Sequence, residues 1–183
     1  MLPLPIRSAR EDDIDAIMTL EAHGFHAPIR ESRDVMRKRL RHFPEGFLVL
    51  ENIAGEAIGY LCSEIWTGMA PDHRHFALGH DIAQTHHPDG HCLYISSMTV
   101  HPQQRGSGLG RRFFQQSVAL IRDRRPHLQD SILLLSAEWI GAHRIYQACG
   151  YAEVARLPGF FTAIAQQNAE AIVMKLTFID GDA

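Results

Sequence analysis

The stretch Leu93-Tyr-Ile-Ser-Ser-Met-Thr-Val100, running into His101-Pro-Gln-Gln-Arg-Gly-Ser-Gly-Leu-Gly-Arg-Arg112, decides how this chain is read. Its first half is apolar and β-branched, the pattern of a buried strand. A turn holding Gly106, Gly108 and Gly110 follows at once, flanked by Arg105, Arg111 and Arg112. Beyond it Phe114, Val118 and Ile121 recur at helical spacing. A strand, a basic glycine-rich turn and a helix form an anion cradle. Glycines let a ligand approach the backbone, successive N–H groups point inward, and the helix start adds partial positive charge. The expected ligand carries a pyrophosphate.

The spacing narrows the choice. A Walker loop needs a lysine after its glycines, and none follows here. The dinucleotide fingerprint needs its third glycine one residue later than Gly110. Asp130 lies where a ribose-binding acid could be sought, but it precedes the next expected strand, where that acid should close it. What remains is Arg-x-x-Gly-x-Gly at Arg105, Gly108 and Gly110. A turn that merely joins two elements stays open as the plainer alternative.

The rest of the chain sets bounds. Its 183 residues suit a single domain over 1–183 with a sizeable core. With 45% hydrophobic and 21% charged residues it has ordinary globular composition. A formal net charge of −3 gives no global case for nucleic acid, and the basic run Arg37 to Arg41 reads as a solvated helix face. Cys62, Cys92 and Cys149 form neither a zinc pattern nor a disulfide framework, which suits a reducing cytoplasm. No run of about eighteen apolar residues is present, so no membrane partner is expected. The first residues, Met-Leu-Pro-Leu-Pro-Ile-Arg, do not read as a signal peptide.

Strands are expected at 4–9, 47–51, 57–66, 92–100, 132–136, 151–155 and 171–178. Helices are expected from Glu11 to about Gly24, from Ser32 to His42, from the glycine turn to Pro126, and over Gly141 to Cys149. Ser8 and Glu11 have capping-box spacing for the first helix. Residues 67–90, polar and rich in histidine, read as one long loop. The pattern predicts a mixed α/β (α+β) fold, a strongly twisted sheet of about six or seven strands flanked by about four helices.

This order of elements, together with the Arg105–Gly110 turn, resembles the GNAT superfamily of N-acetyltransferases. Ala142-His-Arg-Ile-Tyr146-Gln-Ala-Cys-Gly150-Tyr151 is similar to that family's second signature. The family often carries Asn seven residues before the tyrosine, where this chain has Trp139. Ser63-Glu-Ile-Trp66, Gly90-His-Cys92 and Ile145-Tyr-Gln147 locally resemble arylalkylamine N-acetyltransferases. That branch places two histidines on its central strand, and the matching positions here are Tyr94 and Ser96.

The resemblance implies acetyl-CoA as cofactor and direct transfer of its acetyl group to a primary amine. It requires a clamp, an oxyanion donor, a base and an acid. Main-chain groups of Arg105, Gly106, Ser107, Gly108, Leu109, Gly110 and Arg111 are expected to hold the pyrophosphate. Met98, Thr99 and Val100 are expected along the pantetheine arm, with the Met98 amide as oxyanion donor; plain core packing is the alternative for Met98 and Val100. Tyr146 is implied as the acid that protonates the leaving thiolate, the alternative being a packing role. The base stays open among His91, Glu64, Glu138 and a water relay through Tyr94 and Ser96. Phe25, Pro28 and Trp66 are expected to wall the acceptor site, with Phe160 and Phe161 as further candidates. Apolar walls there would favour an aromatic or alkyl amine.

His73, His75, His80, His86, His87 and His91 crowd one segment, but their spacing is irregular and no metal site is expected. The expected partner is a small-molecule amine, and a homodimer stays open. Two other functions compete: acetylation of a protein or peptide amine on the same fold, and a non-catalytic acyl-CoA-binding module.

Overall fold

The computed structural model describes residues 3–68 and 75–178. Seven strands form one sheet: β1 (Ile6–Ser8), β2 (Phe47–Glu51), β3 (Ala57–Trp66), β4 (Cys92–Val100), β5 (Asp130–Ser136), β6 (Ala152–Leu157) and β7 (Ala171–Thr177). Their order across the sheet is β1-β2-β3-β4-β5-β7-β6. Every neighbouring pair runs antiparallel except β4 and β5. The helices are α1 (Ile14–Gly24), α2 (Arg33–His42), α3 (Ile82–Thr85), α4 (Leu109–Arg124) and α5 (Ile140–Ala148).

Strand β2 shows how the sequence builds two layers. Leu48 and Leu50 point to the side covered by α4, where Phe113, Phe114, Val118 and Ile121 pack. Phe47 and Val49 point to the opposite side, against Ile14, Ile17 and Leu20 of α1 and Met36 and Leu40 of α2. The alternation of period two on the strand meets the stripe of period near four on each helix. A third, aromatic cluster joins Trp66, Phe76, Tyr94 and Phe161 near the end of β3 and the start of β4.

Three expectations change. Among the described residues five helices stand where about four were expected, because one turn, α3, forms inside the expected loop at 67–90. The Asp81 carboxylate caps it, accepting the Ala83 amide at 3.3 Å, and four residues are too few to show a periodicity. His73 lies outside the described residues. Ser8 does not cap the first helix, since it belongs to β1; Asp13 instead accepts the Arg10 amide at 2.7 Å and pairs with Arg7. Arg39 turns inward from the run read as a solvated face.

Candidate active site

The site begins with a fault in the central strand. Along β3 and β4, Cys62 pairs with Ser97 and Ser63 with Ile95, so Ser96 is an extra residue without a partner. This is a β-bulge, which bends a strand and re-aims its side chains. The Ser96 hydroxyl closes it by donating to the Cys62 carbonyl at 3.1 Å. On its other side β4 pairs with β5 only from Cys92↔Asp130 to Ile95↔Leu133. Beyond the bulge the two parallel strands part. Residues 97–100 keep β3 as a partner, and residues 134–136 keep β7.

Between the parted strands lies a cleft of about 780 Å³. One wall is β4 from Tyr94 to Val100; the other is Leu133 to Leu135 with Ala142, Ile145 and Tyr146 of α5. Arg105 and Gly110 also line it, as do Phe25, Phe76 and Phe160 from the loops. Gly24 lets α1 end directly on β4: a Cβ there would meet Thr99 Oγ1 at 2.6 Å.

The glycine turn has the conformation an anion cradle needs. Gly106 and Gly108 sit at φ +82° and +77°, the left-handed region that favours glycine. A Cβ at either would meet nothing within 4 Å, so backbone conformation rather than crowding explains the glycine. Gly108 is the N-cap of α4, no side chain caps that helix, and its first turn holds no acid. Arg105 folds back to donate to the Val100 carbonyl and Thr99 Oγ1, each at 3.4 Å. Gly106, Ser107 and Gly108 are exposed, and Leu109 and Gly110 are half-buried.

Tyr146 is half-buried, its ring against Phe114 at 5.0 Å. Burial raises its phenol to about 12, so it stays protonated at any working pH. Tyr146 makes no side-chain hydrogen bond among the described residues, and it lines the cleft. Phe25, Pro28, Tyr94 and Ser96 also line the cleft, as do Met98, Thr99 and Val100.

Other expected residues are not brought there. His91 is exposed, just before the paired end of β4, with its ring directed at the His127 carbonyl. Glu64 is buried behind the cleft. It accepts from Trp66 Nε1 at 2.5 Å and Thr85 Oγ1 at 3.0 Å, and it meets His80 Nε2 at 2.8 Å. Burial alone would raise its carboxyl, but these partners outweigh burial and hold it below the ordinary glutamate value. Such a carboxylate is a poor base. Trp66 is not a wall but the layer behind one, stacked on Tyr94 at 4.1 Å. Glu138 accepts the amides of Gln166, Gln167 and Asn168. Those three amides hold its carboxyl below the usual range. Glu138 thus anchors the loop that carries Phe160 and Phe161. Trp139, at the family's asparagine position, packs between Phe25 at 5.9 Å and Phe161 at 5.4 Å. Among the described residues no His, Cys, Asp and Glu group is arranged to hold a metal.

The structure adds a polar group not anticipated above. Glu21 lines the cleft, is buried, and accepts a hydrogen bond from Tyr60 Oη; that hydroxyl also meets Ser97 Oγ at 2.7 Å. The Glu31 amide donates to the other Glu21 oxygen at 2.8 Å. Burial raises the Glu21 carboxyl above the ordinary value, more than its hydrogen bonds lower it. Arg39, 2% exposed, donates to Glu31 Oε1 at 2.8 Å and also lines the cleft. A sequence signal existed for both. Glu21 falls on the α1 stripe of Ile14, Ile17 and Leu20, and Arg39 on the α2 stripe of Met36 and Leu40. A charge on a buried stripe is rare and needs a partner or a task.

A parted parallel pair, a basic glycine turn, and a buried carboxyl and a phenol on one cleft are a lining suited to acyl transfer. The model of the acetyltransferase (GNAT) family matches residues 14–151. The chain belongs to that family. Two proteins of Bacillus subtilis are similar to it. The uncharacterized N-acetyltransferase YkwB is 30% identical over 129 residues, 67% of this chain and 57% of that protein. The probable hydrolase YhcX is 33% identical over 122 residues, 64% of this chain and 23% of that protein. The matches thus span under two thirds of either relative. Among solved structures, the GNAT-like decarboxylase GphF in complex with isobutyryl-CoA has a TM-score of 0.79 at 21% identity. That match covers 94% of this chain and 98% of the neighbour, and at this identity it shows the fold. The matches carry the family, not its arylalkylamine branch.

Proposed function

We propose that this protein transfers the acetyl group of acetyl-CoA to the primary amine of a small molecule with an apolar body. The observation that carries the reading is the parted β4–β5 cleft. Arg105 and Gly110 of the glycine turn, Glu21 and Tyr146 all line it. The residues suit a coenzyme A thioester. Main-chain N–H groups from Arg105 to Gly110, at the uncapped start of α4, would hold its pyrophosphate. The β4 edge at Met98 to Val100, unpaired toward β5, would run beside its pantetheine arm. Acetyl-CoA supplies an acyl group activated as a thioester.

The chain's own residues handle the protons. Glu21, with Tyr60 and Ser97 at its side, accepts a proton from the ammonium of the acceptor. The amine forms the new C–N bond as the C–S bond breaks. The Met98 amide is suited to donate to the carbonyl oxygen. Tyr146 gives its phenolic proton to the departing sulfur, and solvent restores it. The products are an N-acetylated amine, free CoA thiol and one proton. Phe25, Phe76, Phe160 and Phe161 exclude water and receive an apolar body. We read residues 1–183 as one domain working in a reducing cytoplasm, where Cys62, Cys92 and Cys149 stay free.

The test is release of free thiol from acetyl-CoA with a panel of primary amines, read against one acetylated product per thiol. Stoichiometric product supports the transfer. Thiol release without product, or saturable acetyl-CoA binding without turnover on any amine, overturns it.

A further inference from the structure

Arg39 is the most deeply buried cation of the described chain that touches the cleft, and its bonds are incomplete. Its Nη2 donates to Glu31 Oε1 at 2.8 Å. Its Nε and Nη1 are buried with no hydrogen-bond partner among the described residues. Leaving charged donors unpaired in a desolvated place is costly, and such groups are normally matched. The surrounding residues do not match them: Tyr94, Cys62 and Glu64 lie near the guanidinium, yet none bonds it. Glu31 Oε1 is itself shared with the Gly79 amide at 3.3 Å.

From this geometry we infer that Arg39 receives a carboxylate of the acceptor, so that the substrate is an apolar amino acid rather than a simple amine. The inference rests on the transferase reading and deepens it. A carboxylate carries the single negative charge that one guanidinium balances. A phosphate dianion would face Glu21, Glu31 and Glu64 around the same arginine. The base is adjacent. Glu21 is bonded to the Glu31 amide, and Glu31 to Arg39, so one residue links the anion site to the proton acceptor. An ammonium at Glu21 and a carboxylate at Arg39 are the two ends of one amino acid. The apolar side chain then has Phe25, Phe76 and Phe160 to meet.

Matched pairs test it: leucine against isoamylamine, and phenylalanine against 2-phenylethylamine, each with acetyl-CoA and thiol release as readout. The amino acids should exceed the decarboxylated amines by about 100-fold or more in kcat/KM, as a site with buried polar groups rejects an analogue that leaves them unpaired. Arg39→Met should abolish that preference while the KM for acetyl-CoA stays unchanged, and Arg39→Lys should restore part of it. Equal or faster turnover of the decarboxylated amines overturns the inference and leaves the transferase intact. A preference that survives in Arg39→Met also overturns it. Turnover of no amine overturns the transferase reading and this one with it. Should Arg39→Met not fold, the wild-type ratios still decide.

Discussion

Gly108→Ala separates the cradle from the rest of the fold. Gly108 sits at φ +77°, and a Cβ built on it meets nothing within 4 Å. The substitution therefore adds strain without a clash, about 1–2 kcal/mol for an L-residue in the left-handed region. The exposed turn escapes that strain by rotating to negative φ, which swings its N–H groups away from the cleft. A strain of about 1–2 kcal/mol lowers the population of the competent turn roughly 5- to 30-fold, and apparent affinity falls by the same factor. KM for acetyl-CoA should rise roughly 5- to 30-fold in steady-state thiol release, with kcat nearly unchanged. Gly55→Ala is the control. It has φ +80°, equally open space, and lies in the β2–β3 turn away from the cleft. It should lose similar stability in chemical denaturation and leave KM alone. An unchanged KM in Gly108→Ala, or an equal rise in Gly55→Ala, refutes the assignment of the turn to the pyrophosphate.

Tyr146→Phe keeps the ring packed on Phe114 and removes only the proton donor, so kcat should fall about 100-fold or more with acetyl-CoA affinity intact by calorimetry. Burial raises the Glu21 carboxyl above its ordinary 4.5, and a base works only when ionised; kcat should thus decline on the acid side of a pKa above 4.5, and Glu21→Gln should lose that limb along with most activity. The same raised carboxyl weakens folding as pH climbs from 4.5 through its folded value, so Glu21→Gln should unfold at higher denaturant than wild type at pH 8. Glu138→Ala frees the amides of Gln166, Gln167 and Asn168; KM for the acceptor should rise roughly 3- to 10-fold, as an exposed charged anchor is lost, while KM for acetyl-CoA holds.

The glycine turn proposed to hold the cofactor was legible because its pattern is local. Met98 to Arg111 is one continuous run, and glycine at 106 and 108 announces a backbone conformation that the structure shows. Tyr146 could be found for the same reason, lying inside one short motif. The proposed proton acceptor was not legible in this way. Glu21, Tyr60 and Ser97 come from α1, β3 and β4, and they meet only because the Ser96 bulge sets the register of β4. His91 and Glu64 were plausible by neighbourhood to the central strand. His91 fails because it stands at the paired end of β4, and Glu64 because Trp66, Thr85 and His80 occupy its oxygens. The useful sign lay elsewhere: Glu21 and Arg39 each interrupt an otherwise apolar helical stripe.

The proposed acceptor wall also suggests a physical basis for specificity. Phe76 and Leu78 belong to the segment before α3, and Phe160 and Phe161 to the segment between β6 and β7. Loops hold shape poorly unless tied, and here each is tied through a carboxylate. Glu31, just ahead of α2, accepts the Gly79 amide, and Glu64 of β3 meets His80. Glu138, between β5 and α5, gathers the amides at 166–168. The anchors at Glu31 and Glu138 take main-chain donors, so the aromatic side chains of these loops can change without loosening their frame. It follows that exchanging Phe76 or Phe160 should alter which acceptor is used, whereas removing an anchor should weaken every acceptor alike. Backbone anchoring of variable walls over a fixed cofactor cleft is a physical route by which one fold serves many amines.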